Sequence, residues 1–338
     1  MRQPIISVVV PVYNEEAVVF ESYKRLKGVM ESLNEPYELI FVNDGSRDAT
    51  PDIVRHICEA DPATHLIDFA RNFGHQIAIS AGMDYASGDA VVVIDADLQD
   101  PPEVIPKMIA KWREGYDVVY GKRAERKGET LFKRFTSAAF YRVLQKLTDV
   151  DIPVDTGDFR LIDRKVCDAL KLIKERNRYV RGLISWLGFK QTGVEFVRDK
   201  RFAGETKYPL KKMLRFAFDG ITSFSVKPLK LSTYVGSFAS FAGFAYLLVV
   251  VYQKLFTTRT VTGWASMMAV SLFFNGVVLM MLGIIGEYIG RIYDEAKGRP
   301  LYVVRETLHM DGGRNRKDGR LKPASGHAGK GDHHPLAA

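Results

Sequence analysis

Two long stretches without a charged residue constrain this chain more than anything else in it. From Leu231 to Gln253 there is no Asp, Glu, Lys or Arg, and the run carries Val235, Phe238, Phe241, Phe244 and the block Leu247 to Val251. A second such run extends from Thr260 to Gly286 through Leu272-Phe273-Phe274 and Val277 to Leu282. Each exceeds the roughly 20 residues that a helix needs to cross a bilayer. The other reading, a pair of buried core helices, fits poorly with runs so long and so free of charge. The segment from Lys254 to Arg259 between them is short, which predicts a transmembrane helix hairpin over 231–290. Lys211, Lys212, Arg215, Lys227 and Lys230 precede it, and Arg291, Lys297 and Arg299 follow it. The positive-inside rule then places both termini in the cytoplasm.

Charge is unevenly spread over the rest. The 338 residues carry 48 Lys and Arg against 40 Asp and Glu, a net +8. Residues 1–100 are net −10, residues 101–230 net +13 and residues 231–338 net +5. A chain that begins so acidic is not a uniformly basic nucleic-acid binder, and no nucleic-acid partner is expected. The division predicts an acidic site early and an anion-facing surface later. Only two cysteines are present, Cys58 and Cys167, so a disulfide scaffold is excluded and both are expected as reduced thiols.

Short apolar runs alternate with helical patterns over residues 1–121. Ile5–Val10, Leu39–Val42, His65–Phe69, Val91–Ile94 and Val118–Tyr120 read as strands. Ala17–Leu33, Pro51–Glu59, Gln76–Ala86 and Pro102–Trp112 read as helices. Helix-separated β-branched runs predict an α/β domain, a mostly parallel, Rossmann-like sheet covered on both faces. Ligands of such sheets bind beyond the carboxyl ends of the strands. Those ends carry Pro11-Val12-Tyr13-Asn14-Glu15-Glu16, Asn43-Asp44-Gly45-Ser46 and Asp95-Ala96-Asp97-Leu98-Gln99-Asp100. Neither GxGxxG nor GxxxxGK[ST] occurs, which disfavours dinucleotide oxidoreductases and P-loop nucleotidases.

Asp95, Asp97 and Gln99 stand at i, i+2 and i+4, where side chains project to one side of an extended segment. Hard oxygen donors suit Mg2+ or Mn2+, which completes its shell with substrate phosphates. The alternative is a solvated acidic turn ahead of the helix that begins at Pro101-Pro102-Glu103. Asp44 and Glu15 at neighbouring strand ends favour a site.

These segments resemble the signatures of family 2 glycosyltransferases with the GT-A fold. Arg71-Asn72-Phe73-Gly74-His75-Gln76, Gly157-Asp158-Phe159-Arg160-Leu161 and Arg201-Phe202-Ala203-Gly204-Glu205-Thr206-Lys207-Tyr208 are similar, more narrowly, to the polyprenyl-phosphate sugar synthases, the dolichyl-phosphate mannose synthases and bacterial bactoprenol glucosyltransferases. The resemblance implies a nucleotide-sugar donor, a polyprenyl phosphate acceptor and a bacterial inner (plasma) membrane protein. It places Asp44 at the nucleotide base and Pro11, Tyr13 and Glu15 at the nucleoside. Asp95 falls near the sugar or the metal, and Asp97 and Gln99 on the divalent cation. Arg123, Arg134 and Ser137 match positions that hold the acceptor phosphate in relatives.

The +13 region adds its own candidates. Phe132, Phe135, Phe140, Leu144 and Leu147 recur at helical spacing among cations, the pattern of a helix at a membrane surface or of a solvated basic face. Arg201 and Lys207 flank the flexible Gly204 and offer a fork and a point charge to a phosphate. Residues 209–230 then read as an interfacial amphipathic segment. Asp158, among these cations, is the candidate that orients or deprotonates the attacking phosphate oxygen, with Asp95 beside the reacting centre. A purely structural pairing of Asp158 with Arg160 or Arg181 is the competing reading. His75 reads as a helix-start packing residue.

The expected organisation is a cytoplasmic GT-A domain over 1–208, the interfacial segment 209–230, the hairpin 231–290, a cytoplasmic segment 291–310 and a disordered tail 311–338. A homo-oligomer is expected, because a lone hairpin leaves much helix surface to cover. A processive polysaccharide synthase is disfavoured: Lys111, Ser185 and Gly263 precede the three tryptophans, so no Gln-x-x-Arg-Trp motif exists. A non-catalytic scaffold or lipid-flipping subunit remains the reading from another functional class.

Overall fold

The computed structural model describes residues 5–123, 156–176, 178–197, 227–256 and 263–310. Arg134, Ser137, Arg201, Lys207, the 132–147 pattern, residues 209–226 and the tail lie outside them.

One eight-stranded sheet organises the domain, in the order β7-β5-β6-β4-β1-β2-β3-β8. Its parallel centre is β1 (Ile6–Val12), β2 (Tyr37–Asn43), β3 (Thr64–Phe69) and β4 (Ala90–Val93). Every residue of β1 is buried, as expected of a strand covered on both faces. Period-two alternation divides it. Val8, Val10 and Val12 face a core built with α1 (Val19–Ser32), α2 (Thr50–Ala60) and α4 (Ile105–Arg113). Val9 faces a second core built with α3 (His75–Tyr85), α5 (Arg164–Leu172) and α6 (Val180–Trp186). Cys58 and Cys167 lie one in each core, free and buried, and burial pushes each thiol up to about 12.

The strands and helices expected over residues 1–121 are all present. β1 runs two residues further than the apolar run suggested, so Pro11 is a buried strand residue paired with Val42.

Three strands complete the sheet beyond that region. β6 (Thr156–Asp163) is antiparallel to both β4 and β5 (Val118–Arg123), with Val93 opposite Arg160 and Lys122 opposite Thr156. β7 (Gln191–Phe196) is parallel to β5. The direction of β6 brings its first residues, Thr156-Gly157-Asp158, to the edge where β4 and β5 end. β8 (Val304–Leu308) is antiparallel to β3 and starts beside Phe69, at the same edge.

The charge-free runs form α7 (Lys227–Phe256) and α8 (Trp264–Ala296), of 30 and 33 residues. At about 1.5 Å per residue they extend about 45 and 50 Å. Phe238, Phe241, Phe244, Phe273 and Leu279 are all exposed. Among the described residues, Phe273–Ala296 is the one stretch long and apolar enough to meet the criterion for crossing a membrane. Glu287, at the end of the apolar run, pairs with Arg291 one turn on, at 3.2 Å.

Candidate active site

Strand direction explains how residues distant in sequence meet at this edge. Asp95 follows β4, Asp158 is the third residue of β6, and His75 opens α3, which stacks on the sheet behind them. His75 Nε2 lies 3.4 Å from Asp95 Oδ1 and 3.3 Å from Asp158 Oδ2. Arg181, in the first turn of α6, sets its Nε 2.9 Å from Asp158 Oδ1. Gln76 Nε2 donates to Asp158 Oδ2 at 3.0 Å, and its Oε1 accepts from the Val180 N–H at 2.9 Å. Arg181 Nη1 also donates to the Thr156 carbonyl at 2.9 Å. Asp158 therefore makes the Arg181 pairing that competed with a functional role, and it makes that pairing inside a cluster of site candidates.

Charge in the cluster follows from these distances. Burial alone would raise the Asp158 carboxyl. Arg181, His75 and Arg160 outweigh it and hold the group well below the usual carboxylate range. Burial would likewise lower His75, but Asp95 and Asp158 raise it to about 9, so the ring is a cation at neutral pH. Burial pushes the Asp95 carboxyl up, His75 opposes this, and the neighbouring Asp158 and Asp97 add to it. Arg160 is 4% exposed, donates to the Gly157 carbonyl at 2.8 Å, and burial depresses it to about 10.

Arg123 ends β5 in the same place. A Cβ added to Gly157 would meet Arg123 Nη2 at 3.0 Å, and Arg123 Nη2 stands 4.0 Å from Asp100 Oδ1. Of the residues assigned to the acceptor phosphate, Arg123 thus lies one residue from Asp158.

The loop that follows Asp95 is strained. Leu98 is 4% exposed and has φ +58°, a left-handed conformation that a bulky side chain rarely adopts. Such strain costs on the order of 1–3 kcal/mol and concentrates at functional sites. It turns the chain so that Asp97 Oδ1 accepts from the Gln99 N–H at 3.1 Å.

The donor set fits a hard divalent cation. Asp95 Oδ1 is buried and, with only the ring of His75 near it at 3.4 Å, makes no hydrogen bond among the described residues; Asp97 adds a second carboxylate nearby. No group of three or more His, Cys, Asp and Glu among the described residues forms a metal cage. An ion here would rest on two carboxylates, Gln99 and a substrate diphosphate, as Mg2+ commonly does.

The loops after β1, β2 and β3 form a second cluster on the same edge. The Asn14 N–H donates to Ser46 Oγ and the Glu15 N–H to Thr50 Oγ1, each at 2.9 Å. Asp44 is buried, and its carboxylate accepts from the Phe73 N–H at 2.6 Å and the Gly74 N–H at 3.0 Å. Asp44 thus ties the β2 end to the start of α3. Gly45, at φ +67°, cannot be replaced cheaply: a Cβ would stand 2.4 Å from the Arg71 carbonyl carbon and 2.5 Å from the Asn72 nitrogen. Tyr13 is 38% exposed at the mouth of this cluster.

Residues 7–171 match the model of Glycosyl transferase family 2. An uncharacterized glycosyltransferase of Bacillus subtilis, YkcC, is 62% identical over 312 residues, covering 92% of this chain and 97% of that protein. The chain belongs to glycosyl transferase family 2. This family 2 enzyme is also 43% identical over 302 residues to the bactoprenol glucosyl transferase of Shigella phage SfII, covering 89% of this chain and 98% of the relative. Its residues 227–292 match the GtrB C-terminal hairpin. Among solved structures, glucosyl-3-phosphoglycerate synthase from Mycobacterium tuberculosis is 23% identical with a TM-score of 0.42, covering 65% of this chain and 79% of that one. The eight-stranded mixed sheet and the family match give the domain the α/β, GT-A architecture that the motifs implied.

His75 does open α3, as the sequence reading expected, but that reading did not foresee its place between Asp95 and Asp158, and it had no role for Gln76. A lone histidine at a helix start carries little signal. The usable hint was its place in Arg71-Asn72-Phe73-Gly74-His75-Gln76, one of the segments that carried the resemblance.

Proposed function

We propose that this glycosyltransferase moves one sugar, glucose from UDP-glucose, to polyprenyl (undecaprenyl) phosphate at a bacterial inner membrane, with inversion at the anomeric carbon. The observation that carries this reading is topological. β7 runs parallel to β5 and ends at the edge that carries Asp95 and Asp158. After the hairpin the chain returns to that edge at Val304, beside Phe69. The apolar helices and the polar cluster thus share one edge of the sheet, where a lipid presents its phosphate. The relative named a bactoprenol glucosyl transferase supports the lipid acceptor and the choice of glucose.

In this mechanism the acceptor phosphate oxygen attacks the anomeric carbon. The bond from that carbon to the donor diphosphate breaks, and its electron pair leaves on the nucleoside diphosphate. A phosphate monoester is largely dianionic at pH 7, so no proton has to be removed. Asp158, held ionised by Arg181 and His75, is a weak base. Its role is to fix Arg181, His75 and Gln76 at the pocket wall. Arg123 meets the acceptor phosphate, together with Arg134, Ser137, Arg201 and Lys207. Pro11, Tyr13, Glu15 and Asp44 frame the nucleoside. Mg2+ or Mn2+ on Asp95, Asp97 and Gln99 would neutralise the diphosphate as it leaves. Both hairpin helices span the bilayer with the two termini cytoplasmic, and self-association of hairpins covers part of their outward apolar surface.

The test supplies membranes carrying the protein with undecaprenyl phosphate and a panel of labelled nucleotide sugars, with and without EDTA. Lipid-extractable label from UDP-glucose, abolished by EDTA, is expected. Label only from a mannose, amino-sugar or modified-arabinose donor would keep the reaction and replace the sugar. No lipid-linked label from any donor would end the proposal.

A further inference from the structure

We infer that Asp68 is a positioning residue for the donor half of the site, and that the strand following the hairpin holds it in place. The inference rests on the reading of the β1 and β2 end loops as the nucleotide-sugar side.

Asp68, in β3, is wholly buried, so its charge requires partners. Its Oδ1 accepts from Asn43 Nδ2 at 2.6 Å. Asn43 Oδ1 in turn accepts from the Ser46 N–H at 3.2 Å, and the Ser46 hydroxyl that accepts from Asn14 also hydrogen-bonds Asn43. A continuous chain of hydrogen bonds therefore joins Asp68 to the loops after β2 and β1. Asp68 does not touch the mouth of the site; it acts through Asn43.

Its other oxygen faces two cations. Arg55 Nη2 from α2 and Arg305 Nη1 from β8 each lie 3.5 Å from Oδ2. The register between β3 and β8 shifts at this point: Asp68 pairs with Glu306 and Phe69 with Val304, leaving Arg305 as the extra residue. A bulge of this kind re-aims a side chain. Arg305 also donates to the Ala70 carbonyl at 3.0 Å, and Glu306 holds Arg55 at 3.2 Å. One residue group earlier, Tyr302 stacks on Phe69 at 5.2 Å and donates to Asp84 at 3.1 Å. The segment after α8 therefore secures β3 where β3 hands on to the loop that Asp44 caps. None of these residues after α8 falls within residues 7–171, which match the family 2 model.

The experiment uses the full-length protein in detergent, with UDP and Mg2+ as the binding probe and steady-state kinetics for donor and acceptor. Asp68→Ala removes the acceptor of a buried amide and is expected to weaken UDP binding and raise the donor KM about tenfold, with the acceptor KM unchanged. Arg305→Ala is expected to raise the donor KM about threefold, and Arg305→Lys to recover most of that. Asp68→Asn keeps an acceptor for Asn43 but loses the charge, and should match Arg305→Ala; it carries the test if Asp68→Ala does not fold. Wild-type UDP affinity in folded Asp68→Asn and Arg305→Ala, or donor and acceptor KM rising together, overturns the inference while leaving the donor reading intact. Wild-type protein that binds no UDP overturns the donor reading and this inference with it.

Discussion

Phe41 and Phe241 are the same residue in opposite circumstances. Phe41 lies in β2 at 0% exposure, while Phe241 lies in α7 at 72%. The sheet domain turns its apolar residues inward and brings Asp95, Asp158, His75 and Arg181 together at one edge; the hairpin turns residues such as Phe238, Phe241, Phe273 and Leu279 outward. The two regions follow one rule, removal of apolar surface from water, with different means of obeying it. What joins them is the sheet edge, where Asp95, His75 and Asp158 meet and to which the chain returns after the hairpin at Val304.

Substitutions that treat the two regions alike should fail in opposite ways. Phe41→Ala is expected to cost about 3–5 kcal/mol in the unfolding of the detergent-solubilised protein. Phe241→Ala should leave that transition within about 0.5 kcal/mol. Comparable losses from both would mean that α7 is a core helix and that the contrast is false. Asp158→Ala, at the shared edge, should reduce turnover by about 10²–10³-fold, measured as sugar transferred to lipid, and also lower stability, because it leaves Arg181 and His75 without this carboxylate. Near-full turnover would remove Asp158 from the site. Leu279→Asp is expected to cost about 2.5–3.5 kcal/mol of membrane insertion, seen as protein lost from the carbonate-washed membrane fraction. The smallest effect concerns the thiols. Cys58 and Cys167, both buried and raised to about 12, should resist alkylation at pH 7 in the folded protein and react once it is unfolded.

Legibility in the sequence followed the same division. β1 to β5 were readable because β-branched runs buried on both faces leave an unbroken apolar signal, and the hairpin because its runs carry no charge. β6 was not read as a strand. Thr156, Asp158 and Arg160 alternate with Gly157, Phe159 and Leu161, and the polar set serves the site, so local pattern and strand identity conflict there. β8 pairs with a strand more than two hundred residues earlier, and periodicity carries no information about such a partner. Asp95 and Asp97 were legible because carboxylates just beyond an apolar strand are costly without a purpose, and Asp158 because it is a carboxylate in a stretch otherwise rich in cations. His75 was not, since its meaning lies in the two carboxylates that only the fold brings within 3.4 Å.

Nucleoside diphosphate release in proteoliposomes tests most directly whether the polar edge and the apolar hairpin form one working surface. With UDP-glucose and Mg2+ or Mn2+, release should be slow in vesicles lacking undecaprenyl phosphate and rise at least tenfold when it is incorporated, in step with sugar appearing on the lipid. Release that is equally fast without the lipid, or absent with it, would contradict the account.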